Sequence, residues 1–74
     1  MRLRIVIRIK ENKASVKLPQ GIHQKFGDDG IVRAVMEKTS FKPNINKGIL
    51  LIPDEVKGKL NLIDKQERML VIKS

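Results

Sequence analysis

The sequence predicts a mainly β domain with two short helices (α+β), a small pseudo-twofold β-barrel assembled from two ββαβ-like units. Three observations carry that prediction. The segment Ala14 to Gly27 is repeated as Gly48 to Asn61 at a constant spacing of 34 residues, with Pro19 and Pro53 in register. Residues Arg2 to Lys10 alternate strictly, apolar at Leu3, Ile5, Ile7 and Ile9 and mostly cationic between them. After each proline, aliphatic or aromatic residues recur four apart (Ile22 and Phe26, Val56 and Leu60), the spacing of one helix face. Two copies are too few for a stacked solenoid, which leaves a closed two-unit barrel.

Alternation predicts a strand over Arg2 to Lys10 with one apolar face. Glu11-Asn12-Lys13 is a polar hairpin loop, and Ser15 to Leu18 is a second strand with Val16 and Leu18 on one face. Pro19 starts a helix that ends near Phe26, because proline suits the first helical position, where a missing N–H costs nothing. Gly27-Asp28-Asp29-Gly30 is a turn by composition, and Ile31 to Met36 is the third strand. In the second unit, Thr39, Phe41 and Pro43 stand where Ile5, Ile7 and Ile9 stood, so Lys38 to Lys42 is a short edge strand and Pro43-Asn44 turns into Ile49 to Ile52. Asp54 and Glu55 in the first turn suit the positive end of the second helix, and Gly27 and Asn61 suit the two helix ends. Asn61 to Glu67 is a polar loop before a last strand, Met69 to Lys73. Residues 1–74 form one domain, unit one spanning about 1–37 and unit two about 38–74.

Composition narrows the function. The chain has 74 residues, 16 Lys and Arg against 8 Asp and Glu, a net charge of +8, and no cysteine. So small a fold has a limited core, which makes a homodimer compatible with it, and neither disulfides nor thiolate metal sites can add stability. No apolar run approaches the ~18 residues of a membrane span, so a non-membrane, cytoplasmic protein is expected, nucleoid-associated if it binds DNA. The positive field suits a polyanion. With only Phe26 and Phe41 as aromatics, base stacking has little to work with, which favours double-stranded DNA over single strands.

The stretch Gly48-Ile-Leu-Leu-Ile-Pro-Asp-Glu-Val-Lys-Gly-Lys-Leu-Asn-Leu62 resembles the signature of the swapped-hairpin AbrB, SpoVT and MazE family, cradle-loop barrels, and the first unit carries a matching copy. In that family two chains each give one unit to an interleaved barrel. The resemblance therefore implies a tandem fused pseudo-dimer and a DNA-binding transcriptional regulator rather than an enzyme. The family's basic loop positions are Ser15 and Ile49 here, so at the helix positions only Lys57 and His23 keep the implied chemistry, and the two halves are expected to contact DNA unequally.

Charge placement adds the remaining candidates for DNA contact: Arg4, Arg8, Lys10, Lys13, Lys17, Lys25, Lys47 and Lys59 join His23 and Lys57. Arginine can read guanine edges with two hydrogen bonds, so Arg4 or Arg8 is the source of any base preference, and the lysines meet phosphates. His23 is the sole histidine, which gives no metal site. Asp28 and Asp29 lack an activated nucleophile and read as turn residues; Gly27 and Gly30 lack the Lys-Ser or Lys-Thr of a phosphate loop. No catalytic residue, cofactor or small-molecule substrate is expected. The alternative is a protein-interaction module presenting Met36, Phe41, Ile63 or Met69. A ribbon-helix-helix repressor needs longer helices than Gly27, Gly30, Pro43 and Pro53 permit.

Overall fold

The computed structural model describes residues 1–74. Its elements are β1 (Arg2–Val6), β2 (Arg8–Lys10), β3 (Lys13–Lys17), α1 (Gln20–Phe26), β4 (Arg33–Met36), β5 (Thr39–Phe41), β6 (Asn44–Asn46), β7 (Ile49–Ile52), α2 (Asp54–Leu60) and β8 (Glu67–Lys73). All strand pairings are antiparallel, in two four-stranded sheets: sheet A runs β1-β8-β4-β5 and sheet B runs β2-β3-β7-β6. The hydrogen bonds draw two open sheets, and the closed barrel expected from the sequence is not formed by them.

The internal repeat governs the strand order. In sheet A neighbouring strands come alternately from the first and second halves of the chain, and in sheet B the central pair β3–β7 joins the halves. β1 and β5, β2 and β6, β3 and β7, and β4 and β8 occupy equivalent places about a pseudo-twofold. Each half is thus strand-strand-strand-helix-strand, one strand more than the ββαβ expected.

The extra strand arises at Ile7. Its N–H donates to the Gln66 carbonyl (2.7 Å), and its own carbonyl accepts from the Lys65 N–H (2.7 Å). The loop before β8 thereby takes over the ladder, and the chain leaves sheet A for sheet B without breaking its alternation. Ile7 is fully buried at that corner. Polar Asn44–Asn46, read from sequence as the end of a turn, pairs with β7 as the edge strand β6.

Three two-residue hairpins, Glu11-Asn12, Glu37-Lys38 and Lys47-Gly48, have positive φ at both central residues, the sign pattern of the type I′ turn that matches strand twist. Both prolines cap the helices from just outside, at φ −55° and −57° with extended ψ, one residue earlier than expected. Asn61 closes α2 in the left-handed region, as its sequence position suggested.

The core is one cluster of fifteen apolar residues that includes Ile5, Ile7, Val16, Leu50, Leu70 and Ile72, with Ile22, Phe26 and Leu60 packed on its margin. Burying such side chains is worth about 1.5–3 kcal/mol each. The helices are only seven residues long and are held by this packing rather than by propensity. No helix is long and apolar enough to cross a membrane.

Candidate nucleic-acid interface

Register divides the predicted basic stripe. Arg2 and Arg4 lie on the outer face of sheet A, opposite Val71 and Met69. Arg8 and Lys10 lie on the outer face of sheet B, opposite Ser15 and Lys13. The alternation placed all four outward as expected, but the switch at Ile7 gives them to different sheets.

Sheet B's outer face collects the larger set. Arg8 and Lys10 on β2, and Lys13, Ser15 and Lys17 on β3, stand beside Ile49 and Leu51 on β7 and Asn44 and Asn46 on β6. Four cations share this face, and its strands contribute no carboxylate to it. Two carboxylates approach from the margins: Asp64 lies 3.9 Å from the Arg8 Nε, and Asp54 lies 3.9 Å from the Lys13 Nζ. Asp64 also accepts the Ile9 N–H at 2.8 Å, so it fixes the β2 backbone as well as facing Arg8. Lys10 and Lys17 have no carboxylate within 4 Å. A groove lined by Arg8, Ile9, Lys10, Ser15, Lys17 and Ile49 crosses the face, with Asp64 as the one carboxylate in its wall.

The helix candidates have structural partners. His23 Nε2 lies 2.8 Å from Asp28 Oδ1, and Asp28 also accepts the backbone N–H groups of Lys47 (3.1 Å) and Gly48 (3.3 Å). Asp28 is therefore the residue that pins the β6–β7 hairpin tip to α1. The Lys47 N–H, with the His23 ring and the Gly48 N–H behind it, holds the Asp28 carboxyl below its ordinary value against desolvation acting the other way. Gly48 takes φ +78°, which glycine adopts without strain, and a Cβ there would rest at van der Waals distance, 3.4 Å, from the His23 ring.

At the pseudo-equivalent place on α2, Lys57 Nζ donates to the Asn12 carbonyl (2.6 Å) and side chain (2.9 Å). The hairpin tip of each half is thus tied to the helix of the other, directly by Lys57 on α2 and through Asp28 by His23 on α1, two residues at the same helical position. Sequence reasoning found His23 and Lys57 but missed Asp28 and Asn12 as their partners. The signal available was the Gly-Asp-Asp-Gly turn and the Glu-Asn hairpin tip.

The other predicted contacts are scattered. Lys25 stacks its ammonium 5.3 Å from the Phe26 ring centroid. Lys59 borders a cleft with Thr39, Ser40, Phe41 and Val56, and Arg4 lines a separate one with Glu67, Arg68 and Met69. Lys47 sits on the β6–β7 turn beside Lys17. Arg68, which was not singled out, bonds Glu37 and the Leu60 carbonyl and is a structural cation. Of the four apolar residues offered for a protein partner, Met36 and Phe41 are core residues, since their strand positions point inward; Ile63 and Met69 are exposed.

No protein-family model, curated protein or solved structure matches the chain.

Proposed function

We propose that this chain is a double-stranded DNA-binding protein, a transcriptional regulator built as a fused pseudo-dimer on the swapped-hairpin plan of the AbrB, SpoVT and MazE family. The observation that carries the reading is the outer face of sheet B, where Arg8, Lys10, Lys13 and Lys17 converge without a carboxylate among its strands. Like charges side by side on a sheet destabilise it, so such a face is best accounted for by an anionic surface that neutralises it. The cross-paired Lys10 and Lys13 and the flanking Arg8 form a two-stranded ribbon of the width a major groove admits. The flanking Asn44, Asn46 and Ser15 supply hydrogen-bonding groups beside the cations. The interleaved strand order of sheet A and the reciprocal clasps between helices and hairpins support the fused-dimer plan.

Fluorescence anisotropy of two labelled duplexes, one random and one from upstream of the protein's own gene, titrated at about 50 and 200 mM salt, tests the reading. Steeply salt-dependent binding is expected, with preference for the upstream duplex if the protein regulates its own expression. Absence of binding at low salt removes it.

One observation favours a second reading, a protein-interaction module. On the outer face of sheet A, the exposed Met69 follows the half-buried Val71, itself paired with Val35, a short apolar run on a sheet face bordered by Arg2 and Arg4. Failure to bind either duplex would bring that reading forward.

A further inference from the structure

Resting on the DNA-binding reading of sheet B, we propose that the pseudo-twofold is electrostatically broken into one end with a free phosphate cleft and one end whose cations are balanced by carboxylates, so that a duplex docks in a single polarity on a site that need not be palindromic. Helices α1 and α2 are related by the 34-residue spacing, which makes Gln20 equivalent to Asp54, His23 to Lys57 and Lys17 to Leu51. The hairpin tips that rest on them are Lys47-Gly48 and Glu11-Asn12. Each helix packs beside the hairpin tip of the other half, but the residues that hold the tips and the charges around them differ.

At the α1 end, Lys17, Leu18, Gln20, His23, Lys47 and Gly48 line an open cleft of about 230 Å³. Neither lysine has a carboxylate within 4 Å. The carboxylate that belongs to this end, Asp28, already faces three donors, the His23 ring and the Lys47 and Gly48 N–H groups, which leaves the two ammonium groups as its uncompensated charges. Two lysines and a side-chain amide around an open cleft suit a phosphate oxyanion, the repeating group of a nucleic-acid backbone. Lys17 belongs to the outer face of sheet B as well, so the cleft continues the basic face toward one end of the molecule.

At the α2 end the 34-residue spacing puts Asp54 in place of Gln20, Leu51 in place of Lys17 and Lys13 in place of Lys47, and the residue at the tip position that Lys47 holds in its own hairpin is Glu11. Lys57 spends its donors on Asn12, and Lys13 is drawn to Asp54. A phosphate arriving there meets the Glu11 and Asp54 carboxylates beside Lys13 and Lys57, so its cations are balanced by an equal number of anions.

Amide NMR during titration with inorganic phosphate reads the two ends separately. Shifts are expected at Lys17, Gln20, His23, Lys47 and Gly48, and none at Glu11, Asn12, Leu51, Asp54 and Lys57. The K17Q/K47Q variant should lose them and should lower the salt slope of duplex binding by about 2. The reciprocal E11K/D54Q variant, whose changes are exposed, should gain phosphate shifts at the α2 end. Equal shifts at both ends of the parent protein, or none at either, overturn the proposal even if duplex binding persists. Phosphate shifts confined to the α1 end without any duplex binding would uphold the anion site and dismiss DNA as its ligand.

Discussion

Converting Arg8, Lys10, Lys13 and Lys17 to glutamine, singly and together, puts a number on the proposed DNA face. Each lysine or arginine that neutralises a phosphate of B-DNA contributes about 0.9 to the slope of log affinity against log salt. Lys10 and Lys17 are free of carboxylates, so the K10Q/K17Q pair should remove about 1.8 from that slope. Arg8 and Lys13 face Asp64 and Asp54 at 3.9 Å, distances loose enough for a phosphate to displace the carboxylate. All four changes together should then remove about 3.6. Over a fourfold rise from about 50 to about 200 mM salt, a slope of that size corresponds to about 150-fold in affinity. Anisotropy on one duplex across four salt concentrations measures it, with circular dichroism to establish that the variants are folded. The matched pair on the other sheet, R2Q/R4Q, should change the slope less than K10Q/K17Q. A folded quadruple variant whose slope stays within about 0.5 of the parent would refute the reasoning, because no phosphate would then have been neutralised by these four cations.

Leu50, fully buried opposite Val16 and Ile45 in sheet B, should cost about 3 kcal/mol as L50A, lowering Tm by about 12–24 °C in a thermal melt, whereas L51A on the outer face should move it little. G30A should destabilise by about 1–3 kcal/mol in urea unfolding, since a Cβ at Gly30 would lie 2.1 Å from the Phe26 carbonyl oxygen and the backbone must give way. The lowered Asp28 value gives stability that is present above its ordinary value of 3.8 and is lost as pH falls through the lower folded value. Urea midpoints of the parent and D28N should therefore differ by a constant amount from pH 7 to about pH 4 and converge below it.

Much of this fold was legible because short-range chemistry wrote it. Pro19 and Pro53 marked the helix starts, the 34-residue repeat exposed the pseudo-twofold, and the alternation from Arg2 to Lys10 assigned every side chain there to its correct face. That alternation also hid the switch at Ile7: a period of two is preserved when a strand passes from one sheet to another, and the partners that force the change, Lys65 and Gln66, lie far along the chain. β6 was missed for a related reason, since the two asparagines that flank Ile45 disfavour a strand and the segment is paired because β7 offers it an edge. At the candidate site, charge could be read residue by residue, but competition for charge could not. Lys57 looks like a free cation until Asn12 arrives beside it, and Asp28 looks like an ordinary turn residue until two N–H groups of a distant hairpin settle on its carboxylate.

The alternation of halves in sheet A has a consequence for mass action. Every ladder in that sheet pairs a strand from residues 1–37 with one from residues 38–74, so neither half can complete any part of it alone. The Glu37-Lys38 turn therefore acts as a tether, presenting each half to the other at an effective concentration on the order of millimolar. Nicked at that turn, the chain becomes two fragments whose folding is a bimolecular equilibrium, and a melting temperature that was indifferent to dilution becomes a function of protein concentration.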